Sequence, residues 1–372
     1  MDKFIVIGGG IVGTAIAYHL VRHGAKTILF DRQDPGRATA AGAGILSPET
    51  SDNSEPYFSL SQAAFGYYPD LIRQLQAEQA GETGFAPCGE LVVAVSQDEL
   101  PPFEHLQSYI LARQRRKQPV EVESLSPGEA AHLFPALAPV SGALYTRRAA
   151  RVDGRLLAQA LHLAAVQRGL QVIQAGVDRL ILANGVVSGV VAGGETYRAE
   201  GVAIAGGAWS ASFGAQLGLS IPVEPQRGQL IHLKLPGIDT SQWPIVLGFR
   251  GHYLVPWPGG RVVAGATHEA DVGFQAQTTA IGLYEVLHEA LRVAPGLSQA
   301  EILETRVGLR PVTPDGWPII GPAPGFANLY LATGHGATGL QLGPYTGKLA
   351  ADWLLGRNLE IDLTLFNVAR FL

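Results

Sequence analysis

The sequence predicts an α/β fold, α+β overall, in which a Rossmann-like domain is interleaved with a substrate domain built on a mixed, largely antiparallel sheet. Three observations support this prediction. The chain opens with a glycine motif between two apolar runs. Residues 222–267 are rich in strands with Gly and Pro turns. After residue 267, strands followed by glycine-rich turns appear again. The predicted division gives the nucleotide-binding domain residues 1–80, 145–220 and 300–372, and the substrate domain residues 81–144 and 221–299.

The N-terminal segment 4–31 has the pattern of a βαβ unit. Residues 4–7 form a short continuous apolar run, which is typical of a strand buried on both faces. A helix-period segment follows, and then a second apolar strand over residues 27–30. Three glycines at G-x-G-x-x-G spacing join the first strand to the helix, and an acid ends the second strand: Gly8, Gly10, Gly13 and Asp31.

Each of these four residues has a physical role in dinucleotide binding. Gly8 allows the tight turn, Gly10 lets the backbone approach a pyrophosphate, and Gly13 lets helix and strand pack closely. The helix N-terminus stabilises phosphate groups, and Asp31 can accept hydrogen bonds from a ribose. The alternative is a glycine-rich turn that binds nothing. The motif alone does not choose between NAD and FAD.

Composition limits the class of protein. The chain has 372 residues, of which 47% are hydrophobic and 16% charged, and it is therefore expected to bury a large core in about two domains. Its formal net charge is −5, with no basic tail, which argues against nucleic acid as a partner. Cys88 is the one cysteine, so neither an intramolecular disulfide nor a thiolate metal cluster is expected. No signal segment or long apolar run is evident, and we predict a cytoplasmic protein without a spanning helix, with peripheral membrane contact left open.

Hydrophobic periodicity predicts further elements along the chain. Helices are predicted over residues 59–80, 98–117, 152–168 and 279–292, and a last helix from the glycine-rich segment 333–340 to residue 355. Strands are predicted over residues 89–96, 170–174, 197–205, 229–233, 253–255, 262–267 and 329–332, with a hairpin over 181–191.

Three segments are dense in small residues. Residues 37–46 permit the close approach of a flat ligand, although a small-residue helix packed on the first helix is an alternative. Residues 206–210 follow a predicted strand, so they form the same pattern as the N-terminal turn, a strand that ends in a turn of small residues. Residues 333–340 open the last predicted helix.

These segments together resemble the D-amino-acid oxidase superfamily of flavoproteins, in particular its glycine oxidase and D-amino-acid dehydrogenase branch. The resemblance covers nearly the whole chain. It is carried by IVIGGGIVG (5–13), AAGAGIL (40–46), AIAGGAWS (203–210), GHYLVP (251–256), GGRVVAGAT (259–267), GLRPVTPDGWPIIG (308–321) and TGHGATG (333–339).

The resemblance implies non-covalently bound FAD. Positions that match the FAD-binding residues of the family would hold the ADP half, contact the adenine and flank the phosphates. Others would lie along the flavin ring or face its pyrimidine end. The implied cofactor residues are Gly8, Gly10, Gly13, Asp31, Arg32, Thr39, Ala43, Gly44, Ile45, Val177, Gly206, Gly207, Trp209, Gly336, Ala337, Thr338, Gly339 and Leu340. No metal is implied.

Arg310 is the predicted substrate-binding residue. A guanidinium is a planar fork that matches a carboxylate, and an arginine in the matching GLRP segment does this work in the family. The alternative is a structural ion pair with Asp315 or Glu304.

Three further residues are candidates for the same pocket. Tyr253 matches the family tyrosine whose hydroxyl supports the substrate carboxylate, although a half-buried strand tyrosine is an alternative. His252 and His335 are flavin-side or pocket candidates, and each could instead be structural.

The implied reaction is oxidative deamination of a small amino acid, a D-amino acid or a glycine-like one, by hydride transfer from Cα to flavin N5 followed by imine hydrolysis. One position departs from the glycine oxidases, which carry His-x-Arg-Asn-Gly where this chain has Ala337 in place of the arginine. The smaller residue leaves room for a larger or apolar amine substituent.

Alternative functions remain open at this point. One is a secondary-amine oxidase or dehydrogenase for proline-like or sarcosine-like substrates, and another is a flavin-binding subunit without turnover. An NAD-dependent dehydrogenase would not explain the small-residue segments AAGAGIL (40–46) and TGHGATG (333–339). The electron acceptor is either O₂ or a quinone-like carrier, and homo-oligomerisation is left open.

Overall fold

A computed structural model describes residues 3–50, 54–116 and 122–372, with the side chains of 114–116 not described. Within these residues the helices are α1 Ile11–Arg22, α2 Ala38–Ala41, α3 Glu55–Ala77, α4 Leu100–Arg116, α5 Pro127–Leu133, α6 Gly154–Gln167, α7 Gly214–Leu217, α8 Ala280–Val293 and α9 Gly339–Leu354. The predicted end of α4, Lys117, lies outside the described residues.

The strands of the same part of the chain form four sheets. They are β1 Lys3–Ile7, β2 Lys26–Phe30, β3 Ile45–Leu46, β4 Ala86–Pro87, β5 Glu90–Ala94, β6 Val122–Ser124, β7 Gly142–Thr146, β8 Ala150–Arg151, β9 Gln171–Ile173, β10 Arg179–Ala183, β11 Val186–Ala192, β12 Glu195–Arg198, β13 Gly201–Ile204, β14 Glu224–Lys234, β15 Ile245–Leu247, β16 Tyr253–Trp257, β17 Arg261–Gly265, β18 Glu301–Val312, β19 Ile319–Pro322 and β20 Leu329–Thr333.

The first sheet has six strands in the order β19-β20-β13-β1-β2-β9. Strand β1 is central and runs parallel to both β2 and β13, as expected for a strand buried on both faces. Helices α1, α3, α6 and α9 contribute to the core on one side of this sheet, in which Ile16, Leu20 and Leu161 are fully buried. The predicted Rossmann-like half is therefore confirmed as a sheet that is parallel except for its antiparallel edge strand β19, with helical cover on one side.

The predicted strand over residues 197–205 is wrong as a single element. The chain forms β12, which pairs with β11, and then moves to the first sheet as β13, which pairs with β1. Gly201 lets β13 lie against Phe4 of β1, because a Cβ there would lie 2.9 Å from the Phe4 ring. The predicted hairpin is present between β10 and β11, with Asn184 and Gly185 both at positive φ.

The largest sheet has eight strands in the order β18-β14-β17-β16-β15-β5-β7-β6. Its pairs are antiparallel except for β15 and β5, so the predicted mixed, largely antiparallel sheet is confirmed. One face packs against α8 through residues such as Ile231 and Val246, and the other contributes Leu230 and Val255 to a separate core.

Strand β18 was not predicted from the sequence. It pairs along its whole length with β14, so residues 301–312 belong to the eight-stranded sheet, although the predicted division groups 300–372 with the nucleotide-binding domain. The division into domains stays a proposal, with this strand assigned to the second domain. No helix among the described residues is long and apolar enough to cross a membrane.

Candidate functional site

A cavity of about 500 Å³ runs from the first sheet to the eight-stranded sheet. It is lined by the turn after β1, the small-residue segment before β3, the turn after β13 and the segment before α9. All the predicted site residues contribute to its lining except Gly13 and His252. Residues as far apart in the chain as Gly8 and Gln341, which are 333 positions apart, therefore meet around one space of a size typical of ligand pockets.

The glycine turn at one end needs its glycines for steric reasons. Gly8 has φ +104°, and a Cβ on it would lie 2.4 Å from the carbonyl oxygen of Ala205. A Cβ on Gly13 would lie 1.9 Å from the carbonyl oxygen of Gly8, so Gly13 lets α1 pack on the turn. Its position behind the turn explains why it does not line the cavity. Thr39 accepts a hydrogen bond from the Ile11 N–H at 2.9 Å and joins this turn to the next wall.

Asp31 ends β2 at the edge of the same cavity. Its carboxylate accepts a hydrogen bond from Arg37 Nη1 at 2.7 Å. Gly9 leaves the room for this carboxylate, because a Cβ there would lie 2.6 Å from Oδ2. Arg32 packs beside Gly176, next to the half-buried Val177, and its Nε pairs with Asp34 at 2.8 Å. Arg37 was not predicted as a site residue, and its place six residues after the strand-ending acid was the available signal.

A second wall is formed by residues 206–209, which begin a 3-10 helix over Gly207–Phe213. Gly207 has φ +54°, and its carbonyl oxygen accepts a hydrogen bond from Thr333 Oγ1 at 2.9 Å. Trp209 stacks on Phe274 with ring centroids 5.2 Å apart. These contacts hold a small-residue turn beside the first glycine turn.

The N-terminus of α9 points into the middle of the cavity. A 3-10 turn over Gly336–Thr338 precedes the helix, and Tyr57 and Thr338 share a hydrogen bond of 2.7 Å between their hydroxyls. His335 lies behind this turn, fully buried, with Nε2 3.1 Å from Thr346 Oγ1. Burial lowers the pKa of His335 to about 4, so its ring is neutral at pH 7. The helix end supplies N–H groups and a positive dipole end that favour negative charge.

Segment 37–46 forms a short helix followed by a loop, and the helix packs mainly against β18 and α6 rather than on the first helix. Ala38–Ala41 forms the short helix α2, and residues 42–44 then run as an open loop along the cavity. Gly44, with φ +90°, packs against Val152, because a Cβ there would lie 1.9 Å from the Val152 carbonyl oxygen.

Arg310 lies at the other end of the cavity, on β18. Its Nη1 donates to the carbonyl oxygen of Thr267 at 2.8 Å and to Gln226 Oε1 at 3.3 Å, both neutral acceptors. Gly228 on the neighbouring strand leaves room for the guanidinium, since a Cβ there would lie 2.7 Å from its central carbon. Tyr253 faces the same group; burial raises the pKa of Tyr253, and the adjacent Arg310 charge lowers it in part.

The alternative of a structural ion pair for Arg310 is wrong. Asp315 pairs with Arg370 at 2.7 Å, and Glu304 is bonded by Arg306 Nε at 3.0 Å. No described carboxylate pairs with Arg310, which leaves its guanidinium able to bind an anion in the cavity.

His252 does not lie on the cavity wall, so the structure gives no support to its predicted role there. Its Nδ1 contacts the carbonyl oxygen of Arg250 at 2.9 Å and its Nε2 lies 3.5 Å from Glu285. His268 lines the cavity instead, with Nε2 3.3 Å from the carbonyl oxygen of Gly251. Sequence reasoning missed His268, although it comes directly after the GGRVVAGAT segment (259–267), and that position was the available signal.

Comparison with known proteins matches this geometry. The FAD dependent oxidoreductase (DAO) family profile matches residues 3–353. The chain belongs to this family. It is 38% identical to the uncharacterized oxidoreductase YurR of Bacillus subtilis (strain 168), over 99% of both chains. It is 30% identical to the glycine oxidase of Geobacillus kaustophilus (strain HTA426), over 98% of this chain and 96% of that one. The structure of iminodiacetate oxidase (IdaA) from Chelativorans sp. BNC1 superposes with a TM-score of 0.92 and 38% identity, covering 98% of each chain.

The chain is thus an FAD-dependent amino-acid or amine oxidoreductase of the glycine oxidase-like branch, as its sequence motifs indicated. The residues on the cavity wall fit FAD. Gly207 presents bare backbone on the cavity wall, Gly8 allows the tight turn beside it, and Asp31 supplies an acceptor at the strand end. The N-terminus of α9 favours the negative charge that a reduced flavin carries.

Proposed function

We propose that the protein oxidises a small α-amino acid, held in the cavity by its carboxylate. The unpaired guanidinium of Arg310, beside Tyr253 on the cavity wall, is the observation that carries this proposal. A carboxylate can take the remaining N–H groups of the arginine as a charge-assisted fork. We further propose that the ADP half of FAD lies between Asp31 and the two glycine turns, and that its flavin ring lies along residues 43–45 and the N-terminus of α9.

Bound FAD supplies the hydride acceptor. The chain's own contribution is to hold the substrate with its α-carbon hydrogen directed at that acceptor. The Cα–H bond breaks with its electron pair leaving as hydride, the nitrogen lone pair forms the C=N bond, and one N–H proton is lost to solvent. Water then adds to the imine and releases the oxo acid and ammonia, or a primary amine where the substrate is a secondary amine.

The electrostatics of the cavity favour the neutral amine that this step needs. The Arg310 guanidinium and the positive end of the α9 dipole both disfavour an ammonium near the reacting carbon. No strong base is therefore required beside the substrate, which agrees with neutral His335 and with the position of His252 outside the cavity lining.

Substitution of Arg310 by Leu tests the carboxylate site. Loss of one charge-assisted pair corresponds to about 1.5–3 kcal/mol, so the KM for the amino acid is expected to rise about 10- to 100-fold while FAD stays bound. Arg306→Leu is the matched control, since Arg306 lies on the same strand but pairs with Glu304 outside the cavity lining. Unchanged amino-acid kinetics in the Arg310 variant would contradict the proposal.

A secondary amine is a second candidate substrate class. Iminodiacetate oxidase, which is 38% identical, is named for a secondary amine, and Ala337 places only a methyl group on the cavity wall. Steady-state rates with glycine and sarcosine distinguish the two classes, because a secondary-amine enzyme turns over sarcosine faster than glycine. Whether O₂ or a quinone-like carrier takes the electrons is measured by the rate of reoxidation in air.

A further inference from the structure

Glu90 is a buried acid on the wall of the same cavity. Its side chain has no solvent exposure, and its Oε1 accepts a hydrogen bond from Thr50 Oγ1. Its Oε2 is buried beside the Ser47 hydroxyl without a hydrogen bond of normal geometry, and no charged group of the described residues stabilises the ionised carboxyl. A carboxylate oxygen buried without a partner costs free energy, so such an atom in a cavity indicates a ligand group that completes it.

Ser47 provides a second polar atom at the same place. Its Oγ is buried and also lacks a partner of normal hydrogen-bond geometry, and its side chain lies beside the Glu90 carboxyl. The Ser47 N–H donates to Gln341 Oε1 at 3.2 Å, which fixes the backbone there. Glu90, Ser47 and Gln341 all line the cavity, so this end of it is polar.

The strand register relates this polar end to the Arg310 end. Tyr253 is paired with Leu247, and Ile245 is paired with Glu90, so these four residues share one face of the eight-stranded sheet. Glu90 lies two strands from Tyr253, a separation of about 10 Å across the sheet. Leu247 and Ile245 of the intervening strand give that face an apolar surface between the two polar groups.

We propose that Glu90 and Ser47 form a second substrate subsite, which binds a positively charged group that the amino acid carries at the end remote from its carboxylate. The subsite rests on the proposed function, because the carboxylate at Arg310 sets the orientation of the substrate. The substrate class is then an amino acid, or an N-substituted glycine, with a basic terminal group and an aliphatic spacer.

Charge favours a cation over an anion at this subsite. A second carboxylate would be repelled by Glu90 and would meet no described cation there. Arg310 in turn repels a cation at the opposite end, so the two ends of the cavity select one orientation of the substrate. Burial raises the pKa of Glu90 to about 7, and a bound cation would favour its ionised form.

Binding of inert carboxylates to the holoenzyme tests the subsite without turnover. The probes are ω-amino acids from 3-aminopropanoate to 6-aminohexanoate, which lack an α-amine, and alkanoates of the same length, such as hexanoate against 5-aminopentanoate. Dissociation constants are measured from the change in flavin absorbance. We expect one chain length of the amino series to bind wild type at least about tenfold more tightly than its matched alkanoate.

In Glu90→Gln, the ratio of the dissociation constant of the alkanoate to that of the matched ω-amino acid is expected to fall to about one. The FAD content and the flavin spectrum should be unchanged. Glu99→Gln is the matched control, since Glu99 is a buried acid that pairs with Arg292 away from the cavity, and it should keep the preference. Ser47→Ala is a second variant that keeps the carboxyl, and it should reduce the preference about threefold.

The outcomes separate the subsite from the proposed function. Alkanoates that bind wild type as tightly as the ω-amino acids, or a preference that survives Glu90→Gln, overturn the subsite alone. Loss of FAD from the Glu90 variant also overturns it, because the acid would then be a cofactor contact. If no carboxylate of either series perturbs the flavin, the carboxylate site at Arg310 fails and the subsite fails with it.

Discussion

The orientation of Arg310 depends on neutral neighbours. The carbonyl oxygen of Thr267 and the amide of Gln226 hold Nη1, while the acids nearest in sequence are paired with other arginines. Neutral acceptors fix the guanidinium without cancelling its charge, and this is what a carboxylate site requires. The family motif predicted the residue from the sequence. Its partners could not be predicted, because they come from strands 43 and 84 residues away along the chain.

The buried acid Glu90 should make the free energy of unfolding depend on pH. Burial raises its pKa to about 7 in the folded protein, whereas the unfolded chain releases the proton near 4.5. The folded state therefore holds a proton that the unfolded state loses, and stability falls as pH rises between about 4.5 and 7. Glu90→Gln does not titrate, so the free energy of unfolding of the wild type should decline relative to that of the variant by up to about 3 kcal/mol across this window.

Denaturant unfolding of both holoenzymes from pH 5 to pH 8 measures this decline. The two stability profiles should converge toward pH 5 and separate toward pH 8. Parallel profiles over the whole range would show that the Glu90 pKa is not raised by folding.

At the scale of elements, the strands and helices with regular apolar periodicity were predicted well. Strand β1, helix α6 and helix α9 lie within a few residues of their predicted bounds. Strand β18 was missed because its first half is largely exposed, so it lacks an apolar signal, and pairing with β14 determines it instead. Residues 197–205 were predicted as one strand because sequence periodicity cannot reveal a change of sheet.

Strand β14 positions Arg310 through one glycine, and this can be tested. A Cβ on Gly228 would lie 2.7 Å from the guanidinium carbon, so Gly228→Ala must displace Arg310. We expect the KM for the amino acid to rise at least about tenfold with FAD content unchanged, because small displacements of a positioning group are costly. Gly66→Ala, a glycine of α3 with open space around it, is the control and should leave the KM unchanged. A normal KM in the Gly228 variant would contradict the assigned position of Arg310.

At the scale of the whole molecule, the cavity joins the two large sheets. The first sheet supplies the glycine turns and Asp31, and the eight-stranded sheet supplies Arg310 and Tyr253. Gly8, Gly10 and Asp31 of the nucleotide-binding end could be predicted from one local motif, since they are close in sequence. Glu90, Ser47 and His268 could not be found in this way, because only the tertiary fold brings them to the cavity wall. Cytoplasmic location, homo-oligomerisation and peripheral membrane contact stay predictions.

Because the cavity lies between the sheets, the cofactor should stabilise the whole chain. A ligand at about 100 times its Kd adds about 2.7 kcal/mol to the free energy of unfolding. Removal of FAD should therefore lower the Tm by several degrees, and addition of FAD, but not of riboflavin, should restore it. Equal Tm values for the two forms would contradict a cofactor bound between the sheets. Thermal unfolding followed by circular dichroism measures the difference.

The central claim is that a small amino acid, bound through its carboxylate, reduces the flavin of this protein. Anaerobic titration of the holoenzyme with glycine, sarcosine, proline and D- and L-amino acids with basic side chains, followed by absorbance, tests it most directly. We predict that one of these compounds abolishes the oxidised flavin spectrum of wild type at concentrations that leave the Arg310→Leu variant oxidised. A flavin that stays oxidised with every amine, or that is reduced equally in both proteins, would contradict the account.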